Sequence, residues 1–227
     1  MIFIGWRQLI SLCSRHIFST SLKQKDGSSC SLWKCYHQKT SGSLLDPKMR
    51  LFLEANTEVI SSGNLTPEIR YLLDNPEVVR EKRVLDLGSG CGATAIAAMM
   101  SGASHIVAND IDPVAGAAML LNCELNNLNP FPVLTENLIG TEVDNWDLII
   151  LGDMFYSEAL ADSLHQWLKN HIQTHRTKVL IGDPGRPYFV CHKIQKQLLK
   201  VSEYDLTKST QQENNGSTST VVWHYQP

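Results

Sequence analysis

Residues 84–92 read Val-Leu-Asp-Leu-Gly-Ser-Gly-Cys-Gly, and the alanine-rich segment 93–100 follows directly. The apolar run is typical of a buried strand, and the alanine-rich segment favours a helix. Glycine lets the backbone turn sharply or approach a ligand closely, so the three alternating glycines predict a tight loop between these elements. We therefore expect a strand, a ligand-binding loop and a helix start, with the ligand held on the loop backbone.

Two classes of cofactor fit such a loop. Gly88, Gly90 and Ala93 satisfy the Gly-x-Gly-x-x-Gly/Ala pattern of dinucleotide-binding folds, so the glycines alone leave an NAD-linked oxidoreductase open. A loop for S-adenosylmethionine (SAM) also accounts for Asp86, two positions before the first glycine. A sulfonium amino acid brings cations to the loop, whereas a dinucleotide brings a pyrophosphate anion, so the acid favours the cationic ligand.

A second strand is predicted over residues 105–110, after Gly102 has ended the first helix. It ends in Asp110, where nucleotide-binding α/β folds place a carboxylate that accepts the ribose hydroxyls. Both candidate cofactors contain a ribose, so Asp110 fits either. Asp112-Pro113 then begins another helix, and this alternation of strands and helices predicts a parallel sheet.

A fourth strand is strongly marked at residues 146–152, and a third strand is weakly marked at 132–134. The fourth ends in Asp153-Met154-Phe155-Tyr156, at the sheet edge where open α/β folds bind ligands. Ordinary packing beneath the next helix is the alternative for both aromatic residues. His171 and His175 lie four apart without a third ligand, which predicts a solvated helix face.

The C-terminal part is expected to begin with a fifth strand at 178–184 and a helix over 190–201. Segments 203–208 and 219–225 are rich in β-forming residues, and the polar connection containing Asn215-Gly216 favours an antiparallel hairpin. A dinucleotide domain would instead close with a sixth parallel strand.

Residues 1–40 differ in composition from the rest, because they carry six Lys/Arg against one acid in a chain of net charge −3. Apolar residues recur at helical spacing between Ile2 and Ile17, with Arg7 and Arg15 among them. This pattern predicts a mitochondrial presequence, and a disordered arm or a poorly initiated reading frame are the alternatives.

Composition excludes several classes of protein. No apolar run is long enough to span a bilayer, and the acidic remainder lacks the basic stripe that nucleic-acid binding needs. The six cysteines form no Cys-x-x-Cys pair, which indicates a reduced compartment and no structural zinc. A length of 227 residues with 43% hydrophobic content suits one domain with a full core.

Taken together, residues 84–92, Asp110, residues 153–156 and the terminal hairpin resemble the seven-β-strand class I SAM-dependent methyltransferases. The Asp-x-x-Tyr element at Asp153 and Tyr156 is similar to that of the lysine-methylating group. Segments 85–112, 121–126 and 152–168 resemble the matching segments of the lysine methyltransferases that act on the beta subunit of the electron transfer flavoprotein.

The resemblance covers residues 44–227 and implies an α/β fold. That fold is a Rossmann-like seven-stranded sheet over residues 84–227, mostly parallel with an antiparallel C-terminal hairpin, preceded by a helical segment at 41–83. It also implies a monomer in the mitochondrial matrix, without a metal and without membrane insertion, whose protein substrate is the flavoprotein beta subunit.

The resemblance also implies roles for individual residues. Asp153 would orient the lysine ammonium, and Tyr156 and Phe155 would line its channel and stabilise the methylated cation through their ring faces. Glu136 and Asn137 are candidates for the adenine edge. The residues implied to bind SAM are Asp86, Gly88, Gly90, Gly92, Asp110, Ile111 and Asn137.

The sequence departs from this family at one place. Family members carry an aromatic-rich stretch between the elements that match residues 66–69 and 70–73, and here these elements are joined directly. The stretch is expected to line the methionine end of the cofactor and the lysine entrance. Two functions therefore stand beside the oxidoreductase: a protein-lysine methyltransferase, or a SAM- or flavoprotein-binding variant with impaired catalysis.

Overall fold

The computed structural model describes residues 67–142, 144–205 and 218–227. The expected presequence, residues 41–66 of the expected helical segment and the turn of the C-terminal hairpin lie outside these residues. The helices are α1 (Pro67–Asp74), α2 (Ala93–Met100), α3 (Pro113–Leu125), α4 (Glu158–His175) and α5 (Pro187–Val190), with 3-10 turns at Pro76–Val78 and Lys193–Gln197. The strands are β1 (Arg83–Leu87), β2 (His105–Asn109), β3 (Val133–Leu134), β4 (Leu148–Gly152), β5 (Lys178–Asp183), β6 (Leu198–Asp205) and β7 (Ser219–Tyr225).

The seven strands form one sheet in the order β3-β2-β1-β4-β5-β7-β6. Strands β1 to β5 pair in parallel, and β7 pairs antiparallel with both β5 and β6. This confirms the predicted mostly parallel sheet with an antiparallel C-terminal hairpin. Because the first five strands are parallel, their carboxyl ends meet at one edge of the sheet, where the predicted ligand residues lie.

Each face of the sheet packs against its own apolar layer. Successive side chains of a strand point to opposite faces, so Val84 joins the layer beneath α1 and α2 while Leu85 joins the layer beneath α4. Helix α2 contributes Ala95, Ala97 and Ala98, all buried, and the small side chains let it lie close to the sheet. The ligand edge is therefore held between two packed layers.

The helix predicted over residues 190–201 is wrong. Helix α5 ends at Val190, and β6 begins at Leu198, whose partner in the sheet is Tyr225. A register shift between Lys200 and Ser202 interrupts the two-residue alternation of β6, so its apolar residues imitate helical spacing. The backbone partners that make this segment a strand come from β7, which is distant in sequence.

The predicted solvated face at His171 is also wrong. The His171 ring is buried and stacks on Trp167, with ring centroids 5.6 Å apart. Burial, with a smaller contribution from the charge of His175, lowers the pKa of His171 to about 4, so its imidazole is neutral at physiological pH. His171 is a core residue of α4.

Helix α1 runs through the junction between Ile69 and Arg70, where the family resemblance led us to expect an additional stretch. Ile69 and Leu72 are buried on the same side of the helix, in the layer that contains Val84. The residues before the junction thus supply the first turn of a helix that packs on the sheet.

The Glu68 carboxylate in this first turn is buried against the ends of β4 and β5. A Cβ atom on Gly152 would lie 2.2 Å from Glu68 Oε1, and one on Gly182 would lie 2.1 Å from Oε2. The absence of side chains at these two positions therefore makes room for the acid.

No helix among the described residues is long and apolar enough to cross a membrane.

Candidate active site

The loop after β1 adopts a backbone suited to glycine. Gly88, Gly90 and Gly92 have φ angles of +70°, +57° and +84°. At Gly88 a side chain is excluded sterically as well, because a Cβ atom would lie 2.1 Å from the sulfur of Met154, which follows β4. Gly88 thus brings the loop and the end of β4 into contact.

Asp110 directly follows β2 and joins the end of that strand to this loop. The Gly90 amide donates to Asp110 Oδ2 over 2.9 Å, and the Asp112 amide donates to Oδ1 over 2.9 Å. An ionised carboxylate has about four lone-pair positions, so two remain for further donors. Asp110 can therefore hold the loop and still accept hydroxyl groups of a ligand.

Asp86 lies beneath the loop and is only 2% exposed. Burial raises the pKa of its carboxyl to about 7; hydrogen bonds from the Ser89 side chain and the Ala95 backbone oppose the rise, and the charge of Asp110 adds to it. A cation bound nearby would favour the ionised form of Asp86. The group can therefore couple cation binding to loss of a proton.

The other predicted cofactor residues lie beside β2 and β3. Ile111 is 64% exposed next to Asp110, so its apolar side chain is available to a flat ring. The Asn137 side-chain oxygen accepts from the Ile139 amide over 3.0 Å, so part of its hydrogen-bonding capacity shapes its own turn.

Two buried amides that support this edge escaped the sequence-based prediction. Asn109 donates to the carbonyl oxygens of Leu134 and Glu136 over 2.9 and 2.8 Å, which fixes the chain after β3. Asn122 on α3 donates to the Cys91 carbonyl over 2.8 Å and so holds the glycine loop from behind. Asn122 lies within the segment 121–126 that resembled the family, but its partner is apparent only in the fold.

Asp153 follows β4 with a left-handed backbone, φ +56°, and its amide donates to the Gly182 carbonyl over 2.8 Å. Its two carboxylate oxygens accept from Nε and Nη2 of Arg186. The two side chains are 48% and 41% exposed, respectively. Hydrogen bonding to Asp153 raises the pKa of Arg186 further, so the guanidinium stays charged.

Arg186 was not predicted as a site residue, and the turn that places it begins at Asp183. Asp183 Oδ1 accepts from the backbone amides of Gly185 and Arg186, both over 2.8 Å. Burial raises the pKa of Asp183 to about 7. The sequence signal is the turn-forming run Asp183-Pro184-Gly185 directly after a strand of the ligand edge.

The two aromatic residues after Asp153 differ in environment. Tyr156 is 41% exposed at the edge, where a substrate can reach it. Phe155 is fully buried and packs against Phe189, with ring centroids 4.9 Å apart. The expectation that Phe155 lines an open channel therefore does not hold in this structure, because the ring fills the layer beneath α4.

The described residues contain no group of three or more His, Cys, Asp or Glu side chains arranged to hold a metal ion.

Comparison with known sequences identifies methyltransferases. Residues 71–175 match the ribosomal protein L11 methyltransferase family. The electron transfer flavoprotein beta subunit lysine methyltransferase of Homo sapiens is 58% identical, with 82% of this chain and 86% of the human chain covered. The Mus musculus protein of the same name is 55% identical, with 89% and 92% covered. Its alignment extends over 239 residues, more than the 227 of this chain, so the mouse protein has residues with no counterpart here.

Comparison with solved structures agrees on the fold. The ribosomal protein L11 methylase of Lactobacillus delbrueckii subsp. bulgaricus superposes with a TM-score of 0.52 at 22% identity, covering 71% of this chain and 79% of that one. Magnesium protoporphyrin IX methyltransferase of Synechocystis PCC 6803 superposes with a TM-score of 0.51 at 13% identity, covering 87% and 92%.

Proposed function

This chain belongs to the electron transfer flavoprotein beta subunit lysine methyltransferase family, and we propose that it transfers methyl groups from SAM to lysine side chains of that flavoprotein subunit. The observation that carries the proposal is the 58% identity with the human relative over most of both chains. The structure supports it by bringing the glycine loop, Asp110 and Asp153 to one sheet edge. An NAD-linked oxidoreductase is not favoured, because the relatives are methyltransferases and the sheet closes with an antiparallel hairpin.

The residues at the edge fit SAM. Asp110 retains lone-pair positions for the ribose hydroxyls, and the exposed Ile111 can cover one face of the adenine. Gly88, Gly90 and Gly92 keep side chains away from the loop surface, so a ligand can approach the backbone. The ionised form of Asp86 would be stabilised by the cationic methionine end.

SAM supplies a methyl group already activated by its sulfonium, so the protein's task is to position an amine. We infer that Asp153 would receive the lysine ammonium at its carboxylate and hold the nitrogen at the ligand edge while one ammonium proton passes to solvent. Tyr156 would contact the methylated cation through its ring face. Phe155 lies in the apolar layer beneath α4 and, by packing against Phe189, helps to fix the backbone that carries Asp153 and Tyr156.

A binding protein of reduced activity remains the second candidate, and one observation favours it. Relatives carry residues that this chain lacks, and α1 is continuous where the additional stretch would enter. Without that stretch, we expect the lysine entrance to be more open to water and the acceptor less well oriented. The chain would then bind SAM but transfer its methyl group slowly.

We propose the mitochondrial matrix as the location, from the basic and acid-poor composition of residues 1–40. Fusion of these residues to a fluorescent reporter should direct it into mitochondria and yield a shortened product. Retention of the full-length fusion in the cytosol would contradict the proposal.

The function is tested by incubating the chain with SAM and recombinant flavoprotein beta subunit under single-turnover conditions and measuring lysine methylation by mass spectrometry. Asp153→Asn should lower the rate, while Asp144→Asn, an exposed acid at the opposite edge of the sheet, should not. Binding of SAM or of the flavoprotein subunit without any product would favour the binding protein, and absence of binding to both would refute both candidates.

A further inference from the structure

Arg186 pairs with the carboxylate of Asp153, the group that we propose receives the substrate lysine. The guanidinium approaches Asp153 as a fork, with Nε on one oxygen and Nη2 on the other. Both oxygens that would receive a lysine ammonium therefore already face a cation of this chain.

The backbone places Arg186 in this position through a built turn. The amides of Gly185 and Arg186 donate to the same oxygen of Asp183 at the end of β5, and Pro187 begins α5 immediately afterwards. On the other side, the Asp153 amide donates to the Gly182 carbonyl, which joins the ends of β4 and β5. Both partners are thus held at neighbouring strand ends, and their pairing follows from the fold.

The pair is nevertheless easy to separate. About half of the Asp153 side chain and somewhat less of the Arg186 side chain are exposed, and exposed ion pairs contribute little to stability. A lysine ammonium carries the same charge and three N–H donors, so it can replace the guanidinium although it cannot reproduce the fork geometry. Arginine keeps its proton under all physiological conditions and so cannot become the neutral amine that methyl transfer needs.

We propose that Arg186 is a resident cation that holds the acceptor carboxylate of Asp153 until a substrate lysine displaces it. This inference rests on the proposed function, since it assumes that Asp153 receives the lysine. Arg186 is then a specificity-determining residue, because only a cation able to compete with a fork-shaped guanidinium reaches the carboxylate. Its removal should strengthen binding of simple ammonium groups at this edge.

The first test titrates n-butylammonium, as a probe of the lysine side chain, into the isotope-labelled chain and follows the backbone NMR signals of Asp153 and Gly182. Arg186→Gln should bind the probe about two- to fivefold more tightly than the unsubstituted chain. Arg176→Gln, with the same loss of charge at the opposite edge of the sheet, should not. Equal or weaker binding by Arg186→Gln than by Arg176→Gln would overturn the proposal. The titration needs no cofactor, so it is independent of whether the chain methylates.

A second test places an amine where the guanidinium lies. In Arg186→Lys with SAM, the sulfur–methyl bond should break as a nitrogen–carbon bond forms at position 186, with the amine proton passing to solvent and S-adenosylhomocysteine leaving. Mass spectrometry should detect this methylation. Its absence from a preparation that methylates the flavoprotein subunit would show that the guanidinium does not occupy the acceptor position. If neither the lysine at position 186 nor the flavoprotein subunit is methylated, the result counts against the proposed function. The ammonium titration then decides the role of Arg186.

Discussion

The backbone amide of Gly90 donates to Asp110 Oδ2 over 2.9 Å, so one carboxylate both shapes the glycine loop and stands at the expected ribose position. Removal of this side chain should therefore affect the loop and the ligand together.

Asp110→Ala should abolish stabilisation of the chain by SAM. At one hundred times the dissociation constant, a ligand contributes about 2.7 kcal/mol, which corresponds to a rise of roughly 5–10 °C in the melting temperature of a chain of this size. Thermal unfolding with and without SAM measures the rise. The matched control is Asp112→Ala, which removes an N-cap bond to the Val114 amide but no expected ligand contact. It should unfold about 1 kcal/mol more easily and keep the rise. A rise that persists in Asp110→Ala would show that the ribose binds elsewhere.

Gly88→Ala should destabilise the chain more than Gly140→Ala. Both positions have φ between +70° and +90°, so each substitution introduces left-handed strain of about 1–2 kcal/mol. Only at Gly88 would the new Cβ also meet a neighbour, the Met154 sulfur at 2.1 Å, whereas nothing lies within 4 Å at Gly140. Urea unfolding should show the difference, and Met154→Ala in the Gly88→Ala background should recover part of it. Equal losses at the two glycines would mean that the loop and the end of β4 are not in contact.

The stability of the chain should depend on pH through Asp86. Its folded pKa of about 7 lies above the ordinary value of 3.8, so between these values the folded state keeps a proton that the unfolded state releases. Its contribution to stability is complete below the ordinary pKa and is lost as the pH rises through about 7. Asp86→Asn removes this dependence. The unfolding free energy of the variant minus that of the unsubstituted chain should therefore increase from about pH 4 to about pH 7, by at most about 1.4 kcal/mol per unit. Asp144→Asn, an exposed acid, is the control for net charge, and a parallel change in both variants would rule out burial as the cause.

Insertion, between Ile69 and Arg70, of the aromatic-rich stretch that the family resemblance leads us to expect there should raise the rate of lysine methylation by orders of magnitude. Positioning of reactants can contribute about 7 kcal/mol or more, so even partial loss is large. SAM binding should change less, because the loop, Asp110 and Asp86 lie on elements outside the junction. Single-turnover rates at equal SAM occupancy compare the two forms. Equal rates would show that the stretch is dispensable for guiding the lysine.

The elements that the sequence predicted best are those with local causes. The apolar run ending in Gly88-Ser89-Gly90 predicts a strand and a loop because each residue's own conformational preference agrees with the fold. Asp110 could be placed because parallel strands end at a common edge. The hairpin was predicted from two β-rich segments joined by a polar connection, and the family resemblance supplied the number of strands in the sheet, whereas the strand order came only from the structure.

The features that were missed depend on distant partners. Leu198 belongs to a strand because β7 pairs with it, and the register shift after Lys200 hides the alternation. Arg186 belongs to the candidate site because it pairs with Asp153, which lies 33 residues earlier in the chain. Phe155 and His171 are buried by packing that periodicity alone does not reveal. Local sequence patterns carry little information on such pairings.

The continuity of α1 has a consequence for how this family can vary. Proline suits the first position of a helix, an acid suits its first turn, and Ile69 lies three residues before Leu72 on the buried side, so Pro67-Glu68-Ile69 can replace the turn that an intervening segment would supply. None of the strands in the described part of the chain contains the junction, so a segment inserted between Ile69 and Arg70 would leave every register of the sheet unchanged. The sheet that carries the glycine loop, Asp110 and Asp153 is therefore compatible with chains that have or lack an insertion at this point.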